Sequence, residues 1–315
     1  MISAMRVSVL IPSYNVADTI ARAVESALAQ TLSPFEILVI DDASTDNTRD
    51  VVRAIAARND RVKLLPLTRN VGPSGARNHG LDATQGEVVA LLDADDGWKP
   101  ERLERLCAIM REQGADLVAD NLVLYDSGQE QEVRLAHQPA TPLAALDARC
   151  YFEHNIFNGG FTFALLKPLM RTDFLRGHGI RYMESLRYGE DLVFMGQQLL
   201  AGAKAYLSDE GLYLYTMRVG ELSGQHSPHS RSQPDFVSVI AELKKLMHHA
   251  DALTRDQIQR CIDSFRVAHK SNTARSLRRQ GRYLGYIRAM VDYDIVQLLA
   301  RQRIRKLKAR FKRLS

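Results

Sequence analysis

The chain is poor in the residues that would tie it to a disulfide scaffold, a zinc–thiolate centre or a bilayer. Its 315 residues include 3 cysteines and 1 tryptophan, and aromatics make up 7%. Cys107, Cys150 and Cys261 lie far apart, with no CxxC pair and no Cys/His group at zinc spacing. Neither a disulfide framework nor a zinc ribbon is expected, and a reducing, cytoplasmic compartment is. Long apolar runs are missing too. Each is short and interrupted by charge, well below the roughly 20 residues of a spanning helix. The opening MISAMRVSVLIPSYN offers a brief apolar run that breaks at Pro12, shorter than the roughly 7–15 residues of a secretory leader. The chain is therefore expected neither to be exported by that route nor to be anchored by a span. No fixed-period repeat or low-complexity tract occurs.

What is present is a globular composition, 45% hydrophobic and 25% charged. It suits one large domain, or one with a smaller appendage. The net charge of +5 conceals an asymmetry. Residues 266–315 hold 15 Lys/Arg against 2 Asp/Glu, leaving 27 against 35 for the rest. An acidic body with a basic end suggests a polyanionic partner, either nucleic acid or an anionic membrane face.

The first third alternates two patterns. Val7–Ile11, Glu36–Ile40, Val62–Leu65 and Val88–Leu92 are short apolar, largely β-branched runs. Between them, Ala17–Ala29, Thr45–Ala57 and Pro73–Ala83 read as helices; Ile20, Ala23, Val24, Ala27 and Leu28 recur at the spacing of one helical face. This rhythm means βαβ units, hence an α/β fold with a mostly parallel sheet flanked by helices. Further on, Pro100–Gln113, Leu165–Arg176 and Gly189–Ala201 read as helices. Asp116–Tyr125, Ala203–Leu207 and Gly211–Met217 read as strands, and Asp126–Arg149 as loop with a short helix. Gly220–Pro234, rich in Gly, Ser, His and Pro, marks a boundary, and the chain beyond it reads as helical.

Ligands of parallel α/β sheets sit beyond the carboxyl ends of the strands. Here those ends carry Pro12-Ser13-Tyr14-Asn15, Asp41-Asp42 and Asp93-Ala94-Asp95-Asp96. Asp93 and Asp95 would repel each other unless a cation lay between them, and a hard ion, Mg²⁺ or Mn²⁺, takes one or two carboxylates plus phosphate oxygens. A plain turn and helix cap is the alternative reading. Gly72-Pro73-Ser74-Gly75-Ala76-Arg77 could bring backbone N–H groups and Arg77 to a diphosphate; equally, Gly75 could permit close packing and Arg77 be a surface charge. Glu190-Asp191 opens an amphipathic helix, where acids also serve as dipole complements.

Taken together these strings resemble family 2 glycosyltransferases, which use nucleotide-sugars and have the GT-A fold. The residues carrying the resemblance are VSVLIPSYN at 7–15, ILVIDDASTDNT at 37–48, GPSGARNHGL at 72–81, GEVVALLDADD at 86–96 and GEDLVF at 189–194. LLKPLMRTDFLRGHGIRY also resembles bacterial exopolysaccharide transferases of the succinoglycan type. The resemblance implies a catalytic GT-A domain over residues 1–225, followed by a helical, basic region over 226–315. Pro12, Tyr14 and Asp42 would line the nucleotide pocket, with Asp42 accepting a hydrogen bond from uracil. Asp93 would face the ribose, Asp95 would hold Mn²⁺ or Mg²⁺ against the diphosphate, and Arg77 would stand in the same wall. Asp191 would be the catalytic base. Tyr215 to Ser223 is similar to a loop that closes over the donor, but Glu221 replaces a frequent Ser, which puts the phosphate role of Arg218 in question. The QxxRW string of processive members is absent, so one sugar would be transferred, with inversion, from a UDP-sugar to a glycan or lipid-linked acceptor.

Ile304, Leu307, Phe311 and Leu314 share one helical face amid eight Lys/Arg between 301 and 313. Such a helix can lie on an anionic bilayer, which would place the protein at the inner face of the cell membrane, or it can pack on the domain. No RNA-binding motif accompanies the charge. Two other classes remain open. A sugar nucleotidyltransferase would want a basic, Gly-rich loop after the first strand, where PSYNVADT stands. A non-enzymatic adaptor for membrane or nucleic acid would bind no nucleotide-sugar.

Overall fold

Strands β1 (Val7–Ser13), β2 (Glu36–Asp41), β3 (Val62–Pro66) and β4 (Val88–Leu91) form on the apolar runs that predict them. The computed structural model describes residues 5–157, 161–217 and 234–285. β2 and β4 are buried along their whole length, as strands covered on both faces must be. Helices α1 (Ile20–Leu28), α2 (Thr48–Ala56) and α3 (Gly72–Ala83) connect them. Ile20, Ala23, Val24 and Ala27 form the buried face of α1, and Gly80 lets α3 approach Leu10 and Ile40 so closely that a Cβ there would lie 2.9 Å from Ile40 Cδ1.

Among the described residues the sheet has ten strands, and its main path runs β3-β2-β1-β4 and on through β9 (Leu169–Arg171), β6 (Leu117–Asp126), β10 (Ala205–Met217) and β5 (Gly97–Trp98). The β3-β2-β1-β4 half is parallel. Beyond it the pairing is mixed. β9 runs antiparallel between β4 and β6. β6 is parallel to β10, and β5 closes the edge antiparallel to β10. Three expectations are corrected. The stretch 126–149 contains β7 (Gln131–Leu135) and β8 (Leu143–Ala145) before the short α5 (Ala148–Glu153). β7 is exposed at every residue, so it has no buried face. Within 165–176 the helix is confined to α6 (Thr172–Gly177). Pro168 bars an earlier start, and buried Leu169 and Met170 enter the sheet as β9. The two strands expected over 203–217 are one, with register irregularities at Gly211.

α4 (Arg102–Gln113) ends at Gly114 in the left-handed conformation, the usual helix stop. α7 (Glu190–Leu200) starts after Gly189, at φ +72°. The C-terminal helices α8 (Phe236–Leu246) and α9 (Ala252–Arg279) pack on α5 and α7. Phe157, Tyr188, Phe236 and Phe265 form an aromatic cluster at that seam, and the Cys261 thiol donates to the Asn155 carbonyl at 3.0 Å. One hydrophobic core includes residues from Val7 to Ala268.

Within this core lies a fully buried ion pair. Arg102 of α4 meets Asp120 of β6 at 2.7 Å, both side chains wholly inaccessible, and its guanidinium stacks over Trp98 and Tyr213. Removing one partner of such a pair leaves an uncompensated charge. Asp120→Ala is therefore expected to destabilise the fold by about 3–5 kcal/mol, read from urea unfolding. Arg102→Met combined with Asp120→Leu should recover most of that loss.

Candidate active site

Strand register explains why distant residues meet. Ser13 pairs with Asp41, and the Asp42 N–H donates to the Ser13 carbonyl at 2.8 Å. The loops after β1 and β2 are stitched further by Asn15, whose Oδ1 accepts from the Thr45 N–H at 2.8 Å while its own N–H donates to Ser44 Oγ at 2.9 Å. Pro12, Tyr14 and Asp42 therefore share one wall. Asp42 is buried, and its two oxygens accept the backbone N–H groups of Val71 at 2.7 Å and Gly72 at 2.8 Å. It thereby fixes the start of α3. Each oxygen retains a second lone pair, so a base contact at Asp42 would add to this clamp rather than replace it.

α3 connects that wall to the acidic centre. Arg77 lies five residues beyond Gly72, about 7.5 Å along the axis. It is not a surface charge: its side chain is 6% exposed. Nη2 meets Asp93 Oδ1 at 2.9 Å, Nη1 meets Glu190 Oε1 at 3.1 Å and Asp191 Oδ1 at 3.6 Å, and the Tyr182 ring lies beneath the guanidinium. A second cation completes the arrangement. Lys167 Nζ stands 3.0 Å from Asp93 Oδ2 and 2.7 Å from Asp191 Oδ2. Asp191 also accepts from the Tyr182 hydroxyl at 3.1 Å. Arg77, Asp93, Lys167 and Asp191 thus form a closed ring of alternating charge.

The electrostatics follow from that ring. Burial would raise the Asp93 carboxyl, but Lys167 and Arg77 outweigh it and hold the group well below the usual carboxylate range. Asp191 is also lowered: burial works against ionisation, and Arg77 and Lys167 prevail over burial and the nearby Asp93. Lys167 is raised despite its burial, because Asp191 and Asp93 favour the ammonium. Asp96 behaves oppositely. Burial and then its neighbours Asp95 and Asp93 push it well up, while its oxygens accept from the Tyr213 hydroxyl and the Thr216 N–H, both at 2.8 Å. Arg22 of α1 ties the turn to β10, bonding the Asp95 carbonyl and, at 2.7 Å, Thr216 Oγ1.

The donor set of this turn is oxygen only, which suits a hard divalent ion. Asp93 is engaged by two cations and Asp96 by Tyr213 and Thr216. Among the described residues no group of three His, Cys, Asp or Glu is placed to hold an ion.

The structure therefore brings Pro12, Tyr14 and Asp42 together, and Arg77, Asp93 and Asp191 together, with α3 between the two sets. Arg218 and Glu221 lie outside the described residues, as does the basic stretch 301–314. Lys167, Tyr182 and Arg22 were not legible as site residues. For Lys167 there was a signal, a lone cation within Leu165-Leu166-Lys167-Pro168-Leu169-Met170, since a lysine carried into an apolar layer needs anionic partners.

The model of glycosyl transferase family 2 matches residues 8–172. The succinoglycan biosynthesis proteins ExoO and ExoU of Rhizobium meliloti are each 38% identical to the chain, over 69% and 70% of it respectively. These matches span 62% and 64% of the two relatives' own length. Among solved structures, S. aureus TarS 1-349 in complex with UDP-GlcNAc superposes with a TM-score of 0.65 at 23% identity, over 85% of this chain and 73% of that one. That likeness concerns the fold, which is GT-A. With more than half its length under the family model and two relatives at this identity, the chain belongs to glycosyl transferase family 2.

Proposed function

We propose that the protein is an inverting glycosyltransferase that moves one sugar from a nucleotide-diphospho-sugar, a UDP-sugar, to a hydroxyl of a glycan or lipid-linked acceptor in the synthesis of a bacterial surface polysaccharide. The observation that carries this reading is the side-by-side placement of Asp93, on the donor wall, and Asp191, bound by the same two cations. ExoO and ExoU, which are succinoglycan biosynthesis proteins, support the polysaccharide role, and TarS, solved with UDP and with UDP-GlcNAc, supports the uridine donor.

In this reading Pro12, Tyr14 and Asp42 receive the uracil and Asp93 the ribose side. Asp191 takes the proton of the acceptor hydroxyl as that oxygen attacks the anomeric carbon, because a sugar hydroxyl is a poor nucleophile near pH 7. The carbon gains oxocarbenium character as its bond to the diphosphate breaks. A single in-line displacement inverts the configuration and requires no covalent enzyme intermediate. Arg77, buried beside both carboxylates, fixes the geometry in which proton removal and bond cleavage coincide.

The charge at the site favours a metal. The carboxylates of Asp93, Glu190 and Asp191 outnumber the cations Arg77 and Lys167 that meet them, and like charges at short range oppose the binding of an anionic diphosphate. A divalent ion bound at Asp95 would offset the charge that gathers on the leaving group. Arg218, at the start of the segment after β10, would assist there. The basic stretch 301–314 would bring the body to an anionic membrane carrying a lipid-linked acceptor. A catalytic unit extending to about residue 225, followed by this helical region, is the organisation that fits these roles.

Two measurements test the reading. Asp191→Asn should lower kcat for transfer by about 10²–10⁴-fold while UDP affinity, by calorimetry, stays within about threefold. In a screen of nucleotide-sugars with Mn²⁺ or Mg²⁺, one UDP-sugar should be hydrolysed, and EDTA should abolish turnover. Undiminished turnover in EDTA would remove the role given to Asp95.

A further inference from the structure

We propose that Lys167 is a positioning residue of this transfer: its ammonium clamps the carboxylates of Asp191 and Asp93 at one fixed separation, and its own backbone is anchored from behind by the buried Arg102–Asp120 pair. The proposal rests on the glycosyl-transfer reading above, in which Asp191 is the base.

The contacts leave Lys167 little freedom. Its ammonium touches both carboxylates, at 2.7 and 3.0 Å, and its side chain is 4% exposed. Its carbonyl accepts from Arg102 Nη2, and Arg102 is wholly buried and paired with Asp120. Pro168 follows and restricts Lys167 to extended backbone. The chain of contact therefore runs from α4 and β6 through a main-chain carbonyl to the base.

Packing alone does not account for such a residue. Desolvating an ammonium is costly, and a buried ion pair replaced as a whole by apolar side chains of similar volume is often as stable or more so. Clusters of buried, mutually perturbed ionisable groups mark functional sites. What the ammonium supplies is specific. Asp191 is faced by Arg77 from α3, Asp93 from the end of β4, Tyr182 from the segment after α6, Tyr151 from α5, and its own neighbour Glu190. Among the described residues, the cations paired with its carboxylate are Arg77 and Lys167. Arg77 is shared with Glu190 and stands 3.6 Å away, whereas Lys167 stands at 2.7 Å. Without Lys167 the base would lose its nearer cation and the contact that fixes its orientation toward the donor wall.

The test compares full-length wild type, Lys167→Met and Lys167→Arg, measuring kcat/KM against pH with the UDP-sugar that the wild type turns over, and UDP affinity by calorimetry. A carboxyl held down by a cation loses function only as pH falls through its lowered pKa, so removing that cation must move the acid limb upward. Lys167→Met should raise the limb by about 1–3 pH units and lower kcat, with UDP affinity within about threefold. Lys167→Arg, which keeps the charge, should leave the limb within about half a unit of wild type. A uniform loss in Lys167→Met with the limb unmoved, or the same shift in both variants, overturns the proposal. Should Lys167→Met not fold, Lys167→Gln takes its place; failure of both by circular dichroism would make Lys167 a scaffold residue and also overturns it. Absence of any turnover by the wild type is a different result, since it removes the transfer reading and this proposal with it.

Discussion

Two carboxylates that would repel each other, Asp93 and Asp191, are held within reach of the same ammonium and the same guanidinium. Much of the architecture can be understood as what that contact requires. Neither cation could be buried without the acids, and neither acid could remain ionised there without the cations. The four side chains arrive from α3, the end of β4, the segment before β9 and the start of α7. The ring therefore joins parts of the chain that the sheet alone would not connect. Glu190 adds a further negative charge on Arg77, so the balance is tilted rather than neutral.

Strand register delivers these groups. β4 and β9 are antiparallel with Ala90 opposite Leu169. Counting two residues onward on β4 and two back on β9 brings Leu92 level with Lys167, and Asp93 is next. The Lys167–Asp93 contact is thus a consequence of one short strand entering the sheet against the parallel direction. Tyr213 does the same from the other side: β10 sets it opposite Trp98, and its hydroxyl accepts from the Asp93 N–H at 3.2 Å while donating to Asp96. The acidic turn is held by its backbone as well as its side chains, and the alternation of sheet directions makes both holds possible.

This also explains what could be read beforehand. The β1-to-β4 segment was legible because its strands are buried on both faces and its helices have one apolar face, so period and burial coincide. Asp42, Arg77, Asp93 and Asp191 were legible because they occupy strand ends and helix starts within a family pattern. Lys167 was not, since its role depends on β9, a three-residue strand whose apolar spacing mimics a helix. β7 was hidden for the opposite reason, having no buried face. Arg77 carried two readings in the sequence, and its 6% exposure excludes that of a surface charge. What a single sequence withholds here is long-range pairing, and the residues missed are those placed by it.

The C-terminal helices belong to the same argument. α7 begins with Glu190 and Asp191, so its start fixes the carboxylate proposed as the base. Gly189 precedes it at φ +72°, a conformation glycine adopts without strain, and a Cβ there would lie 3.0 Å from Val239 of α8. Tyr188 packs edge-on against Phe236, also of α8, and α7 leaves room at Gly196 for Phe152 and Leu246, which a Cβ would meet at 2.8 and 3.3 Å. The helix that carries Asp191 is therefore also gripped by helices that sequence composition would assign to a separate region. A shift of α8 would move the backbone one residue before Glu190, and the ring would feel it through the 2.7 Å contact of Lys167. The geometry of the charged ring thus depends on packing contributed after residue 234 as much as on the strands before residue 92.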